Sequence, residues 1–220
     1  MLYIVPTPIG NLEDITYRAV RILSEVDYIA CEDTRTSGVL LKHYHISTPT
    51  LSYHSHSGQA KVDKILDMLK NEKDIALISD AGTPGISDPG YALVQAALEN
   101  GIEIIALPGP SAVITALSAS GMSSHHFLYL GFLPIKKGRQ TILKRISENK
   151  TETIVIYESV HRIEKTLKDL EQYFCWEHNI VIGRELTKKF EEYIRGTLIE
   201  AQKYFKENPG KIKWEFVILF

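Results

Sequence analysis

Cysteine is scarce: the 220 residues include only Cys31 and Cys175, far apart and in no metal-ligand spacing. A reducing, cytosolic setting is therefore the expected one, with Cys31 inside the apolar run Tyr28-Ile29-Ala30-Cys31 as a small core residue. No apolar run approaches membrane-spanning length. Met1 is followed at once by strand-like Leu2-Tyr3-Ile4-Val5 and then Pro6, which is not the pattern of a signal peptide, so the expected location is cytoplasmic, with no membrane partner. No two glycines stand two residues apart, which excludes the G-x-G-x-x-G dinucleotide fingerprint, and no G-x-x-x-x-G-K-[ST] loop occurs. Ser79 and Ser111 follow strands but lack a G-x-S-x-G elbow, so a hydrolase triad has no support. The close histidine pairs, His54/His56 and His125/His126, have no cysteine or carboxylate company at ligand spacing and read as exposed loop residues; no metal is expected.

What remains is an ordinary globular composition, 44% hydrophobic and 24% charged, long enough for one large or two modest domains. The net charge of −2 hides an asymmetry: residues 1–134 carry −6, residues 135–220 carry +4, and eight of the nine prolines lie in the first part. The shift falls at Leu133-Pro134-Ile135-Lys136-Lys137-Gly138, which places a domain boundary between 134 and 135. A basic second half suits a polyanion, although a solvated lysine-rich surface gives the same count.

The most informative stretch is Ser79-Asp80-Ala81-Gly82-Thr83-Pro84-Gly85-Ile86-Ser87-Asp88-Pro89-Gly90. It joins the buried-strand run Ile75 to Ile78 to a helical pattern over Tyr91 to Asn100. Such a link needs only a short turn, yet this one has three glycines and two prolines. Glycine lets backbone approach a ligand and proline fixes the loop beforehand. At the end of a parallel strand this reads as a ligand site rather than a bare connection.

In chain order, strands are expected at Leu2–Val5, Tyr28–Cys31, Thr50–Tyr53, Ile75–Ser79 and Glu103–Leu107 in the first half. Helices between them bury Ala19, Ile22, Leu23 and Val26, then Val39 to Leu41, then Val62, Ile65, Leu66 and Leu69. Gly101 closes the helix after the central loop, and Pro108-Gly109-Pro110-Ser111-Ala112 opens a small-residue helix to Ser120. This rhythm predicts right-handed crossovers and a largely parallel sheet. The second half alternates too: strands at Phe127–Leu130, Thr153–Tyr157, Asn179–Gly183, Glu191–Arg195 and 213–220, with helices through Leu143, Leu167 and Ala201.

Taken together, several segments resemble those of a known family. They are residues 2–14, Glu32-Asp33-Thr34-Arg35, Ser79 to Gly90, Leu107 to Ala112 and Gly131-Phe132-Leu133-Pro134, followed by Tyr157-Glu158-Ser159, Arg184-Glu185-Leu186-Thr187-Lys188 and Arg195-Gly196-Thr197. In this order, over essentially the whole chain, they are similar to the ribosomal RNA small subunit methyltransferase I family of the tetrapyrrole-methylase superfamily. The resemblance implies two α/β domains with S-adenosylmethionine in the cleft between them, a homodimer, and methylation of a cytidine ribose 2′-oxygen in 16S ribosomal RNA within the small subunit. It implies donor contacts at Ile9, Asp80, Thr83, Gly85, Ile86, Ser111, Ala112, Tyr157, Glu185, Leu186 and Glu215.

Methyl transfer from a sulfonium is an in-line displacement, so alignment supplies most of the acceleration, and a base near the hydroxyl adds to it. The catalytic candidates are Asp33, Glu32 and Lys188, with Arg35 and Lys189 placed to meet substrate phosphate. Asp80, at the end of a buried strand, is expected to need donors that a ligand hydroxyl or ammonium would supply. Two departures from the family pattern stand out: Trp214 where a glycine is common, and a chain end at Phe220 where many relatives continue, so that this protein is expected to lean on the assembled subunit for specificity. Two other readings stay open, a methylase of a tetrapyrrole or other small molecule and a non-catalytic RNA-binding relative. The Ser-Asp-Ala sequence at Asp80, in place of Gly-Asp-Pro, favours RNA.

Overall fold

The computed structural model describes residues 1–54, 57–149 and 151–220; Ser55 and His56, and with them half of the first histidine pair, lie outside the described residues. The chain divides into two compact units, Met1–Ser111 and Ala112–Phe220.

The first unit holds strands β1 (Leu2–Ile4), β2 (Tyr28–Cys31), β3 (Thr50–Ser52), β4 (Ile75–Ile78) and β5 (Ile104–Ala106) in one parallel sheet, order β3-β2-β4-β1-β5. Helices α1 (Tyr17–Glu25), α2 (Thr34–His43), α3 (Gln59–Lys70) and α4 (Tyr91–Glu99) supply the crossovers. Strand alternation sends Tyr3, Ala76 and Ile78 to a core with Ala19, Ile22, Leu23 and Leu41. It sends Leu2, Ile75 and Leu77 to a core with Val62, Leu66, Leu69 and Leu93 on the other face. A sheet covered on both faces is why these strands read as unbroken apolar runs. Thr16 caps α1 by accepting from the Ala19 amide. Gly101, at φ 68°, follows the end of α4 as a left-handed closing residue.

The second unit begins with α5 (Ala112–Ser120) and continues through β6 (Phe127–Phe132), α6 (Arg139–Ser147), β7 (Thr153–Glu158), α7 (Ile163–Glu171), β8 (Asn179–Arg184), β9 (Glu192–Thr197), α8 (Leu198–Glu207) and β10 (Phe216–Leu219). Its sheet, order β6-β7-β10-β8-β9, is mixed: β6 and β7 run parallel and every other neighbour pair is antiparallel. The core under α6, α7 and α8 includes Leu143, Ile156, Leu167, Phe205, Phe216 and Ile218. Each such side chain contributes on the order of 1.5–3 kcal/mol by leaving water.

Two expectations are corrected here. The break lies at Ser111/Ala112, not at 134/135, because β6 pairs with β7 and the hydroxyl of Tyr193 and guanidinium of Arg195 donate to the α5 carbonyls of Thr115 and Ala119. Composition missed this because α5 contains no charged residue. The last strand spans Phe216–Leu219 rather than 213–220, since Trp214 sits at φ 65° and breaks the extended run.

Candidate functional site

In the first unit, the loops leaving β1, β2, β4 and β5 meet at the carboxyl end of the sheet, as ligand-holding loops of open α/β sheets do. The central loop after β4 is tied to each of its neighbours. Thr7 and Gly82 exchange a pair of main-chain hydrogen bonds, both 2.9 Å, and the buried Thr7 hydroxyl donates to the Ser79 carbonyl at 3.0 Å. The Thr83 hydroxyl donates to the Pro110 carbonyl of the β5 loop at 3.0 Å. The Asp33 amide, in the β2 loop, donates to Asp80 Oδ1 at 3.1 Å. Ser79 closes the turn internally by donating to the Gly82 carbonyl at 3.2 Å.

Two glycines make this convergence sterically possible. Gly82 adopts φ 85°, with Ile9 Cγ2 at 3.4 Å from where a Cβ would stand. A Cβ on Gly109 would lie 2.6 Å from Pro6 Cβ, so the β5 and β1 loops approach as closely as they do only because residue 109 has no side chain.

Around this cradle sit Ile9, Glu32, Asp33, Arg35, Asp80, Thr83, Gly85, Ile86 and Ser111. Asp80, Gly85 and Ile86 are exposed, while Ile9, Glu32, Asp33, Thr83 and Ser111 are half-buried. Asp80 ends the buried run of β4 and Ser79 as its first exposed residue, with the Asp33 amide as one donor to its carboxylate. Asp33 caps α2, its carboxylate accepting from the Arg35 amide at 2.8 Å and from Arg35 Nη2 at 2.6 Å. Those bonds hold its pKa down to about 2. Glu32 is shifted the other way, upward, first by burial and then by the charges of Asp80 and Asp33. Two adjacent carboxylates thus have opposite protonation tendencies.

The other expected residues lie in the second unit. Ala112 begins α5. Tyr157 packs against the rings of Tyr129 and Phe132, with centroids at 5.3 and 5.5 Å. Beside it Glu158 is fully buried, accepting from the Ser159 amide and the Thr166 hydroxyl and pairing with Arg162 Nε at 2.8 Å. The turn after β8 is strained: Glu185 is at φ 48° and Thr187 at φ 63°, the latter a conformation that β-branched residues rarely adopt. Glu185 pairs with Arg184, and Leu186 is buried against Gly183. Lys188 Nζ stands 3.9 Å over the Trp214 ring, and Lys189 and Glu215 are exposed.

Sequence reasoning missed several organising groups. Thr7 holds the cradle, and the only signal was its position between Pro6 and Pro8. Glu192 gathers Arg184, Lys211 and Tyr204 at the end of β8, three partners drawn from distant segments that no local pattern reveals. Among the described residues, no group of three or more His, Cys, Asp or Glu is arranged to hold a metal ion. Nor is any described helix long and apolar enough to cross a membrane.

Comparison with known proteins bears on this geometry. The profile of the family described as Tetrapyrrole (Corrin/Porphyrin) Methylases matches residues 1–202. A Streptococcus pyogenes serotype M1 protein named ribosomal RNA small subunit methyltransferase I is 47% identical over 211 residues, which are 96% of this chain and 73% of that protein. Among solved structures, the methyltransferase CobJ superposes with a TM-score of 0.73 at 18% identity, covering 99% of this chain and 92% of that one. Uroporphyrin-III C-methyltransferase from Thermus thermophilus, solved with S-adenosylhomocysteine, gives a TM-score of 0.65 at 16% identity, covering 99% and 96%. At those identities the structures establish the fold alone.

Proposed function

The chain belongs to the tetrapyrrole methylases, in the group named ribosomal RNA small subunit methyltransferase I, and from this premise we propose that it methylates the ribose 2′-oxygen of a cytidine in 16S ribosomal RNA, using S-adenosylmethionine. The observation that carries the RNA reading is the 47% identity, across nearly the whole chain, to a relative named for that substrate. The likeness to corrin and porphyrin enzymes at 16–18% identity speaks to architecture only. The same reading makes the protein a cytoplasmic homodimer acting on the small ribosomal subunit.

The first unit's cradle suits the donor. Ala81, Gly85 and Ile86 are exposed, with little side-chain bulk at 81 and 85 to keep a ligand from the main chain, and Thr83 and Ser111 add hydroxyls. The charges of Asp80 and Asp33 both act on Glu32, so the field there favours a cation. When bound, the donor supplies an electrophilic methyl carbon on a positively charged sulfur. Glu32 is the residue assigned to receive the proton that the 2′-hydroxyl loses as its oxygen takes the methyl, because its raised pKa brings it toward a useful range for a base. Asp33 holds its proton too weakly for that task at neutral pH and instead fixes the start of α2 and Arg35. Arg35, its side chain 90% exposed, is assigned to substrate phosphate. In the second unit, Lys188 and Lys189 serve as RNA contacts, and Tyr157, Glu185, Leu186, Ala112 and Glu215 stand as donor-contact candidates on the resemblance alone.

The test is methyl transfer from labelled S-adenosylmethionine to small subunits lacking the modification, with the nucleotide located by mass mapping. One methylated cytidine ribose is the expected product. With Glu32→Gln, turnover is expected to fall about a hundred-fold or more, and affinity for the uncharged product S-adenosylhomocysteine is expected to be retained. Label entering a tetrapyrrole and not RNA, or no transfer to subunits at all, overturns the reading.

A further inference from the structure

We infer that the cavity at the end of β8, in the second unit, is a stacking site for an unpaired nucleobase of the RNA, with Trp214 and Phe190 as its aromatic surfaces and Lys188, Lys189 and Lys213 meeting the flanking phosphates. The inference rests on the RNA reading above and adds to it a subsite for one base of the substrate.

The cavity measures about 710 Å³, room for a nucleotide, and its walls include Arg184, Lys189, Phe190, Lys211, Lys213 and Trp214. Trp214 is 59% and Phe190 65% exposed. Side chains of this size are normally mostly covered, and here two of them stand exposed beside one concavity. Both rings already hold a cation nearby: Lys188 Nζ is 3.9 Å from the Trp214 centroid and Lys189 Nζ 5.6 Å from that of Phe190. Flat π surfaces alternating with ammonium groups are the elements with which proteins hold unpaired nucleic-acid strands, the ring taking a base face and the cation a phosphate.

The balance of charge supports an anionic occupant. The acidic groups lining the cavity are already engaged: Glu192 by Arg184, Lys211 and Tyr204, Glu185 by Arg184, and Glu191 by the Thr187 amide. Among the described residues, Lys188, Lys189 and Lys213 have no carboxylate within ion-pair distance. Arg184, only 4% exposed and part of the cavity wall, leaves its Nε–H without an acceptor among the described residues. Finally, Trp214 occupies φ 65°, where glycine is at ease and a bulky residue is strained. Strain of this kind tends to accompany function.

The experiment uses the full chain with Trp176→Phe, so that Trp214 is the sole indole, and an oligocytidylate as the probe. Stacking is expected to quench Trp214 emission. Trp214→Gly suits the local backbone, so folding is not endangered. It is expected to weaken oligocytidylate binding about ten-fold, by the loss of one stacked base. In methyl transfer to subunits it is expected to raise KM with little change in kcat, and S-adenosylhomocysteine affinity is expected to stay as it was. Unchanged RNA affinity in Trp214→Gly overturns the inference. So does quenching by an abasic strand equal to that by oligocytidylate, which would leave only charge, and so does a parallel loss of S-adenosylhomocysteine binding, which would assign the cavity to the donor. Indole quenching without any methyl transfer to subunits upholds the base site and removes the reaction proposed above, so the two failures are told apart.

Discussion

The strand ends of the two units are built by different means. In the first, four loops are joined chiefly through main chain: the Thr7–Gly82 pair, carbonyls at Ser79 and Pro110 as acceptors, and a glycine at 109 that lets Pro6 close in. In the second, the corresponding ends are held by ionised side chains. Glu158, Arg162, Thr166, Arg139 and Asp169 form one connected buried network, and Arg184, Glu185, Glu192 and Lys211 form another. Main-chain bonding gives a shape set before a ligand arrives and indifferent to which carboxylates are protonated. Side-chain networks leave surfaces that respond to charge, and the cavity with Trp214 belongs to that second kind.

The comparison breaks most readily at Glu158. Replacing it with Ala removes the acceptor for Arg162, Thr166 and the Ser159 amide at a fully buried position. Breaking a buried pair on one side costs about 3–5 kcal/mol. That is a large share of the roughly 5–15 kcal/mol that keeps a domain folded. Urea unfolding of Glu158→Ala should therefore show early loss of the second unit with the first intact. A single transition at the parent midpoint would mean that the network does not hold the unit. The counterpart in the first unit is Gly109→Ala. The new methyl would meet a proline ring rather than a flexible side chain, so the loops must separate, at about 1–3 kcal/mol. Because the cost falls on the cradle, S-adenosylhomocysteine affinity, read by calorimetry, is expected to drop more than global stability.

These two positions also show what the chain discloses in advance. The parallel sheet of the first unit was legible because both faces of each strand are covered, so Ile75 to Ile78 or Tyr28 to Cys31 stand out as apolar runs closed by Gly and Pro. The central loop was legible because its glycines and prolines are excessive for a plain crossover. The mixed order of the second sheet was not, since strand pairing depends on partners far away: β10 inserts between β7 and β8, and nothing near Phe216 says so. Glu158 was visible as part of a motif but not as the centre of a network, because Arg162 and Thr166 sit at ordinary helix-surface spacing. Asp33 and Glu32 are neighbours with the same charge, and what separates their roles is the Arg35 side chain folding back on Asp33 and the burial of Glu32. Trp214 was noticed as a departure, yet its exposure and left-handed backbone required the fold.

The smallest expected effect, and the finest division between the regions, lies in pH. Glu32 has its folded pKa raised above the ordinary value near 4.5, by burial first and then by Asp80 and Asp33. Above that ordinary value the folded state binds more proton than the unfolded chain, so stability decreases as pH rises toward the raised pKa. Glu192 behaves oppositely: burial alone would raise it, but hydrogen bonds from Lys211, Tyr204 and Arg184 outweigh burial and hold it below 4.5. Its stabilisation is complete above 4.5 and is lost as pH falls through its lowered pKa. Denaturant midpoints taken from about pH 3 to about pH 8, which brackets these ordinary values, should separate the two. Glu32→Gln is expected to flatten the slope on the neutral side and Glu192→Gln the slope on the acid side. If Glu32→Gln leaves the neutral-side slope unchanged, Glu32 does not carry the raised pKa that its assignment as base requires, and the proton must leave the ribose hydroxyl by another group.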